Sequence, residues 1–330
     1  MNTCFCAISQ SVPFHAHFLY TPPMIDIALV GTGGMMPLPN RYLSSMICRV
    51  NGRMILFDCG EGTQVSLRTL GWGFKQIDRV VFTHFHGDHI SGLPGLLLTM
   101  AHADRTEPLE LFGPTGLERV VGALCVIAQD LPFPLIFHEW KARESHSHIE
   151  GMLHLNALPV NHRAPCFAYT IELKRRGKFD PDRARAENIP IKFWGLLQKQ
   201  TDATIVYEDR TLTSDMVLGP PRTGLKLAFC TDTRPTAALP AFVQDADLFI
   251  CEGMYGDPEK QQKCAAHMHM SFQEAATIAR NANVKELWLT HFSPALPDPW
   301  NYLQHASDIF PATKTGKDRM TKTIKFVDEE

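Results

Sequence analysis

Thr83-His84-Phe85-His86-Gly87-Asp88-His89 is the stretch that decides the fold, because it places four metal-binding side chains within six residues. It follows the short apolar run 79–82, which is typical of a buried strand. In an extended chain His84 and His86 point to the same side, since side chains repeat every second residue. This pair can therefore chelate one metal ion.

The second half of the stretch supplies ligands for a second ion. We expect Gly87 to let the backbone turn after the strand, so that Asp88 and His89 face a second position. Imidazole and carboxylate ligands without thiolate favour Zn²⁺, with Mn²⁺ and Fe²⁺ as alternatives.

Three further strand-like runs each lead to a polar side chain that could reach a metal, namely His162, Asp232 and His291. Taken alone, each could instead be a turn residue or a helix cap. Together with the first four they make seven candidate ligands, about the number that two ions sharing a bridging carboxylate require. Asp58 also ends a strand, where it could orient a metal ligand or hold the glycine turn that follows, and we favour the turn.

Composition bounds the class of protein. The chain has 330 residues, ordinary apolar and charged fractions and a net charge of −3, which argues against a uniformly basic nucleic-acid binder. Its nine cysteines form no C-x-x-C pair, so reduced thiols in a cytoplasmic protein are expected. The sequence contains no membrane-spanning apolar run. Residues 1–23 make a poor signal peptide, and we interpret them as a disordered extension or a start-site artefact.

Strand and helix patterns alternate along most of the chain. Asn51-Gly52 predicts a hairpin, since it is the strongest short turn signal. Ser271 and Glu274 predict a capping box before a helix. The predicted strands are 25–30, 44–50 and 53–58, the predicted helices are 61–70, 93–103, 115–128 and 271–281, and the stretch 134–230 is expected to be β-rich.

The sequence resembles the metallo-β-lactamase superfamily and, within it, the ribonuclease Z family of zinc phosphodiesterases that trim tRNA 3′ ends. The resemblance runs from about residue 25 to 327 and implies an α/β protein with a four-layer αββα sandwich. It implies one domain over 24–330 with an inserted arm at about 172–222. The segments that carry it are Gly31-Thr32-Gly33, Phe57–Gln64, Thr83–His89, Gly113-Pro114, Val160-Asn161-His162, Thr231-Asp232-Thr233-Arg234-Pro235 and Leu289-Thr290-His291-Phe292-Ser293.

The resemblance also implies roles for individual residues. Asp88 corresponds to the proton acceptor of the family. His269 corresponds to a donor to the scissile phosphate or leaving oxygen, oriented by Glu252, with His267 as the shifted alternative. The two zinc sites, with Asp232 as the bridge, correspond to His84, His86, His162 and Asp232 for one ion and to Asp88, His89, Asp232 and His291 for the other.

The arm decides the expected substrate. In the family this part of the chain grips a tRNA precursor, and here it opens with the basic residues Lys174, Arg175, Arg176 and Lys178. Basic hairpin tips are otherwise ordinary solvated surface. The family is also homodimeric, and the apolar stretch 93–98 fits either an interface or a core.

Two other interpretations stay open. One keeps the fold and the metals but makes the chain a hydrolase of a small phosphodiester, a lactone or a thioester. The other is a non-catalytic relative that binds nucleic acid or a metabolite, which would predict lost ligands. A flavodiiron-type redox protein would need Glu in place of His86 and an attached flavin domain, and the sequence has neither.

Overall fold

The computed structural model describes residues 24–128, 130–199 and 204–327. The expected extension, residues 1–23, lies outside the described residues. Among the helices of the described ranges, none is long and apolar enough to cross a membrane.

Strands form the centre of the molecule, and helices flank them. The strands are β1 (Met24–Gly31), β2 (Ser45–Val50), β3 (Arg53–Phe57), β4 (Ile77–Val81), β5 (Leu109–Pro114), β6 (Leu135–Trp140), β7 (His146–Glu150), β8 (Leu153–Pro159), β9 (Phe167–Arg175), β10 (Thr204–Tyr207), β11 (Arg210–Thr213), β12 (Arg222–Cys230), β13 (Leu248–Glu252), β14 (Leu287–Thr290), β15 (Thr313–Thr315) and β16 (Thr321–Lys325). The α-helices are α1 (Thr63–Leu70), α2 (Gly87–Ile90), α3 (Leu93–His102), α4 (Leu117–Leu124), α5 (Pro181–Ala186), α6 (Ile191–Lys199), α7 (Leu239–Val243), α8 (Gln261–His267), α9 (Phe272–Asn281) and α10 (Leu303–Ser307). Short 3-10 turns occupy Cys125–Ile127, Ser214–Val217, Pro258–Lys260 and Pro299–Tyr302.

Two seven-stranded sheets pack face to face. Sheet A has the order β16-β1-β2-β3-β4-β5-β6, and sheet B has the order β15-β14-β13-β12-β9-β8-β7. The pairs β3·β4 and β4·β5 of sheet A are parallel, as are β12·β13 and β13·β14 of sheet B. Because the carboxyl ends of parallel strands meet at one edge of a sheet, the loops after these strands are brought together.

Three apolar layers separate the four structural layers. The layer between the sheets includes Ile27, Phe57, Phe229 and Trp288, all essentially inaccessible to solvent. A second layer lies between sheet A and the helices α1, α3 and α4, and a third lies between sheet B and the helices α7, α9 and α10. This arrangement confirms the predicted αββα sandwich.

Local signals in the sequence were accurate where the turn chemistry is strong. Asn51 and Gly52 both have positive φ, 51° and 80°, as a tight hairpin between β2 and β3 requires. The predicted capping box is confirmed, since Ser271 accepts from the Glu274 amide and the Glu274 side chain accepts from the Ser271 amide. The expectation of a β-rich stretch over 134–230 is wrong in part, because α5 and α6 lie within it.

The helices α5 and α6, together with the strands β10 and β11, form an insertion between β9 and β12. Asp180 caps α5 by accepting from two backbone amides, and Pro181 occupies the first turn, where it is tolerated. The insertion, residues 176–221, has a small apolar core of its own that includes Ala184, Leu197 and Leu212. We call it the arm.

Candidate metal centre

The candidate ligands follow strands of both sheets, at the edge where the carboxyl ends meet. His84 comes shortly after β4 in sheet A. In sheet B, His162 follows β8, Asp232 follows β12 and His291 follows β14 directly. The structure thus brings together side chains that are as much as 207 residues apart.

Three residues at these strand ends have left-handed backbone conformations. The φ angles are 55° for Asp58, 41° for Asp232 and 57° for His291. This region is unfavourable for residues with a Cβ atom, and such outliers concentrate at functional sites. Gly87, in contrast, begins α2 without a positive φ and with open space around it. The backbone does turn at this position, from the extended His86 into α2, but the conformation does not require a glycine.

A first group consists of His84, His86, His162 and Asp232. Nδ1 of His86 lies 2.9 Å from Nε2 of His84 and 3.3 Å from Nε2 of His162. Oδ2 of Asp232 lies 3.7 Å from Nε2 of each of the other two histidines.

A second group consists of Asp88, His89 and His291. The Nε2 atoms of the two histidines are 3.1 Å apart. Oδ2 of Asp88 lies 3.7 Å from Nε2 of His89 and 3.4 Å from Nε2 of His291.

Asp232 connects the two groups. Its Oδ2 faces the first group, while its Oδ1 lies 3.2 Å from Nε2 of His89 and 3.1 Å from Nε2 of His291 in the second. Oδ1 is buried and accepts no hydrogen bond of acceptable geometry from any described residue. One carboxylate therefore presents one oxygen to each group, as a bridging ligand does.

These positions fit metal ions. Ligand atoms around a tetrahedral ion with bonds of about 2.0–2.2 Å lie roughly 3.3–3.6 Å apart. The separations between ring nitrogens and carboxylate oxygens, 2.9–3.7 Å, are of this size. Two ring nitrogens that face one another do not stabilise the structure unless a proton or a cation lies between them. Among the described residues, the ion-pair partners of Asp232 are all histidines, with no lysine or arginine to neutralise it.

Partners on the far side of the rings fix their orientation. Nδ1 of His89 lies 2.7 Å from Oδ2 of Asp58, and Oδ1 of the same carboxylate accepts from the Thr83 amide. Nδ1 of His84 lies 3.1 Å from Oγ1 of Thr83, and Nδ1 of His162 lies 3.2 Å from the carbonyl oxygen of Met268. Such contacts select the tautomer that leaves the other nitrogen free to bind metal.

The two carboxylates and His84 are in the charge states that suit cation binding. Although burial opposes it, the surrounding histidines hold the pKa of Asp232 and that of Asp88 well below their ordinary values, so both carboxylates stay ionised. Burial, reinforced by His89, lowers the pKa of His84 well below its usual range, which leaves the imidazole neutral. Neutral imidazole and ionised carboxylate are the forms that bind metal.

His269 is not one of the seven predicted ligands, although with Asp232 and His291 it forms a third group that could hold a metal ion. Its Nδ1 is 2.9 Å from Oε2 of Glu252 and 3.8 Å from Oδ2 of Asp232. Burial alone would lower the pKa of His269, but Glu252 and Asp232 offset this and raise it to about 9. Arg234 donates to the carbonyl oxygen of His269 and to both carboxylate oxygens of Glu274, so it ties this segment to the start of α9.

Above the ligands lies an open cleft of about 220 Å³. The backbone amide of Met35 donates to Oδ2 of Asp88 at 2.7 Å on one side of this cleft. Tyr255 and Met254 form another part of the wall. His267, the alternative to His269, also lines the cleft but is exposed, and only His269 contacts Glu252.

The four basic residues predicted to bind RNA lie at the base of the arm, and three of them have partners. Lys174 pairs with Glu172. Arg175 donates to the carbonyl oxygen of Val327, and Arg176 donates to the carbonyl oxygens of Leu197 and Gln198 at the end of α6. Among the described residues, the exposed side chain of Lys178 has no such partner. The structure therefore gives Arg176 a structural contact that the sequence did not indicate.

Of the two roles considered for Asp58 from the sequence, the structure supports the orienting one, which was the less favoured. Only the fold shows that Asp58 contacts His89. Met35 and Arg163, which line the cleft, carry no motif that could have identified them.

Comparisons with known proteins agree with this geometry. Residues 53–292 match the family described as beta-lactamase superfamily domain. Ribonuclease Z of Lachnoclostridium phytofermentans is 52% identical over 303 residues, which cover 92% of this chain and 99% of that protein. Ribonuclease Z of Clostridium kluyveri is 50% identical with the same coverage. The solved structure of the human short-form tRNase Z superimposes with a TM-score of 0.65 at 24% identity, over 90% of this chain and 98% of that one, and shares the fold.

Proposed function

The chain belongs to the ribonuclease Z family of the metallo-β-lactamase superfamily, and we propose that it is a zinc-dependent endoribonuclease that removes 3′ trailers from tRNA precursors. Its relatives at about half identity carry the name ribonuclease Z over nearly their whole length. The observation that carries the chemical part of the proposal is Asp232, which presents one oxygen to each of two ligand groups.

The proposed cofactors are two Zn²⁺ ions, with Mn²⁺ or Fe²⁺ as possible substitutes. The residues that would hold them are His84, His86, His162 and Asp232 for one ion and Asp88, His89, Asp232 and His291 for the other. When bound, two such ions supply a hydroxide nucleophile near neutral pH and stabilise charge on the phosphoryl oxygens.

Two side chains of the protein are proposed to handle protons. Asp88, ionised and held by the Met35 amide, would orient the attacking water and accept its proton. His269 would donate a proton to the leaving oxygen or a hydrogen bond to the scissile phosphate. Glu252 is its positioning residue, because it receives Nδ1–H of His269 and leaves Nε2 free to act.

Recognition of the precursor is assigned to the arm. Lys178 is the best supported contact among the four predicted residues, since its ammonium group is exposed and unpaired within the described part of the chain. Phosphate contacts of this kind supply affinity without sequence specificity. The seven described cysteines are free, which agrees with activity in the cytoplasm.

We also propose a homodimer. The apolar residues of α3 do not support it, because Leu93, Leu96 and Leu97 are buried in the core of the chain itself. The exposed apolar side chains of Val126 and Ile127, 57% and 72% accessible, are better candidates for a protein interface. Light scattering at micromolar concentration should give twice the mass of the chain, and a monomeric mass would contradict the dimer.

One assay tests the proposed function. The purified protein is incubated with a precursor tRNA that carries a 3′ trailer, beside bis-p-nitrophenyl phosphate as a small phosphodiester. Cleavage of the trailer at a single site, abolished in Asp88→Asn, is the expected result. Hydrolysis of the small diester without cleavage of the precursor would favour a small-molecule hydrolase instead.

A further inference from the structure

Arg163 lies at the rim of the cleft, directly after the candidate ligand His162. It is exposed, and its Nη2 donates a 2.6 Å hydrogen bond to the carbonyl oxygen of Ala266 in the last turn of α8. This contact anchors the guanidinium against α8 and so keeps it beside the cleft rather than free in solvent. Arg163 lines the same cleft as His162 and the candidate ligands His86, Asp88, Asp232 and His291.

The charge of Arg163 has no counterpart within the cleft. Among the eleven described residues that line it, Arg163 alone carries a permanent positive charge. No described carboxylate forms an ion pair with it, and its Nε and Nη1 have no hydrogen-bond partner among the described residues. The contact with Ala266 uses one of the five N–H donors of the guanidinium. The other donors remain available for an anion, and the described part of the protein does not supply one.

The turn at the end of α8 adds a second polar side chain, that of His267, to the same wall of the cleft. Met268 ends α8 with a φ of 63°, a left-handed cap, and both flanking histidines, His267 and His269, line the cleft. His267 is exposed and is not a member of either ligand group. Arg163 and His267 thus form a polar surface next to the position proposed for the scissile phosphate.

We propose that Arg163, assisted by His267, binds the RNA phosphate immediately next to the scissile one. This inference rests on the proposed function, since only a polynucleotide offers a second phosphate one nucleotide away. A guanidinium binds a phosphate through two parallel hydrogen bonds, which also fixes the direction of the strand across the cleft. Arg163 is therefore a specificity-determining residue, because it distinguishes a nucleic-acid strand from a small diester.

The test combines protein variants with chemically altered RNA. Precursor tRNAs are assembled in which each phosphate flanking the scissile one is replaced, in turn, by a neutral methylphosphonate. Wild type, Arg163→Met, Arg163→Gln and Arg163→Lys are compared on these substrates and on bis-p-nitrophenyl phosphate, with metal content measured for each protein. Arg119→Met, at an exposed position on α4, is the matched control.

At one position, the methylphosphonate should raise KM of the wild type about tenfold, as expected for one charge-assisted hydrogen-bonded contact. Arg163→Met should show the same tenfold rise on unmodified RNA and no further rise at that position. Arg163→Gln, which can still donate to Ala266, should behave like Arg163→Met. Arg163→Lys should recover part of the loss. Metal content and the rate on the small diester should stay within about twofold of wild type.

Two results would overturn the proposal. If both neutral variants respond to every methylphosphonate as the wild type does, Arg163 contacts none of these phosphates. If Arg163→Met and Arg163→Gln lose metal and slow both substrates by one factor, the residue only supports the loop of His162. Failure of the wild type itself to cleave precursor tRNA would remove the proposed function, and this inference with it.

Discussion

A side chain at position 34 would collide with the ring of His291, because a Cβ atom built on Gly34 lies 2.7 Å from Cε1 of that ring. The Gly34 amide also donates to the carbonyl oxygen of Phe292 at 3.0 Å, which holds the two backbones together. Close approach of the 31–43 loop therefore fixes one face of a candidate metal ligand.

Gly34→Ala should displace the His291 ring and weaken the second metal position. Loss of ligand orientation typically costs 10–100-fold in metal affinity, so we expect about tenfold weaker binding of one ion. Competition with a chromophoric chelator measures this affinity. Gly122→Ala, where the added Cβ meets no atom within 4 Å, is the control. Equal metal affinity in the two variants would show that the 31–43 loop can shift to accommodate the added methyl group without displacing His291.

Asp232→Asn should reduce the metal content from about two ions per chain to fewer than one, because the bridging charge is shared by both positions. Elemental analysis after dialysis against a weak chelator gives the number. Asp247→Asn, at a carboxylate that pairs with Lys285 far from the cleft, should keep both ions. Retention of one full equivalent by Asp232→Asn would mean that the aspartate serves a single ion.

Glu252→Gln should slow cleavage of precursor tRNA and of a small diester alike, by roughly 10–100-fold. The buried carboxylate accepts from His269 and, at 2.6 Å, from the Thr233 amide, and the neutral amide would lose the charge that orients the imidazole. Steady-state kinetics with equal metal loading provide the measurement. Glu274→Gln, which weakens the link to Arg234 without touching the His269 ring, should have a smaller effect. If Glu274→Gln slows cleavage more than Glu252→Gln does, the orientation of His269 depends on its link to α9 rather than on Glu252.

Replacing Lys178 should weaken RNA binding, whereas replacing Arg176 should destabilise the arm. Lys178→Ala should raise KM for precursor tRNA and lower the slope of log K against log salt by about one unit, as one lost phosphate contact predicts. Arg176→Ala should mainly destabilise the arm, because its guanidinium caps the carbonyl groups at the end of α6. Limited proteolysis of the arm, measured beside the salt dependence, separates the two effects. An unchanged salt slope in Lys178→Ala would make this residue plain surface.

Glu286 should stabilise the fold only above acidic pH. It pairs with Lys314 of sheet B at 2.9 Å and with Lys322 of sheet A, so it links the two sheets. Burial alone would raise the pKa of Glu286, but hydrogen bonds from Lys322, Lys314 and Trp288 hold it below its ordinary value. A lowered carboxylate pKa stabilises the folded state above the unfolded value of about 4.3 and loses this effect as pH falls through the folded value.

Glu286→Gln should therefore lower the free energy of unfolding by about 1–2 kcal/mol at pH 7, and the difference should shrink toward pH 3.5. Urea denaturation across this range is the measurement. The exposed pair of Glu144 with Lys141 supplies the control Glu144→Gln, which should change stability by less than about 0.5 kcal/mol. A difference between the Glu286 variant and wild type that does not depend on pH would exclude the ionic contribution.

The family resemblance was sufficient to predict the sandwich, and side chains at predicted strand ends, which are a local signal, were sufficient to indicate the set of candidate ligands that the structure brings together. Neither was sufficient to predict the partners of those ligands. Asp58 is 31 residues from His89, and whether it binds the ring or a nearby turn depends on how β3 and β4 pair. The role of Arg176 depended on α6, a helix in a stretch that the sequence indicated to be β-rich.

The loop that carries Gly34 and Met35 also depends on a residue far along the chain. Asp318 accepts a 2.7 Å hydrogen bond from the hydroxyl of Thr32, 286 residues earlier, and another from the Tyr42 amide. During synthesis at about 5–20 residues per second, roughly 15–60 s separate the emergence of the two partners. Until Asp318 is made, the 31–43 loop lacks these two hydrogen bonds, and His291 is itself made only 27 residues before Asp318. We therefore expect the loop to close over the candidate ligands only when synthesis of the domain is nearly complete.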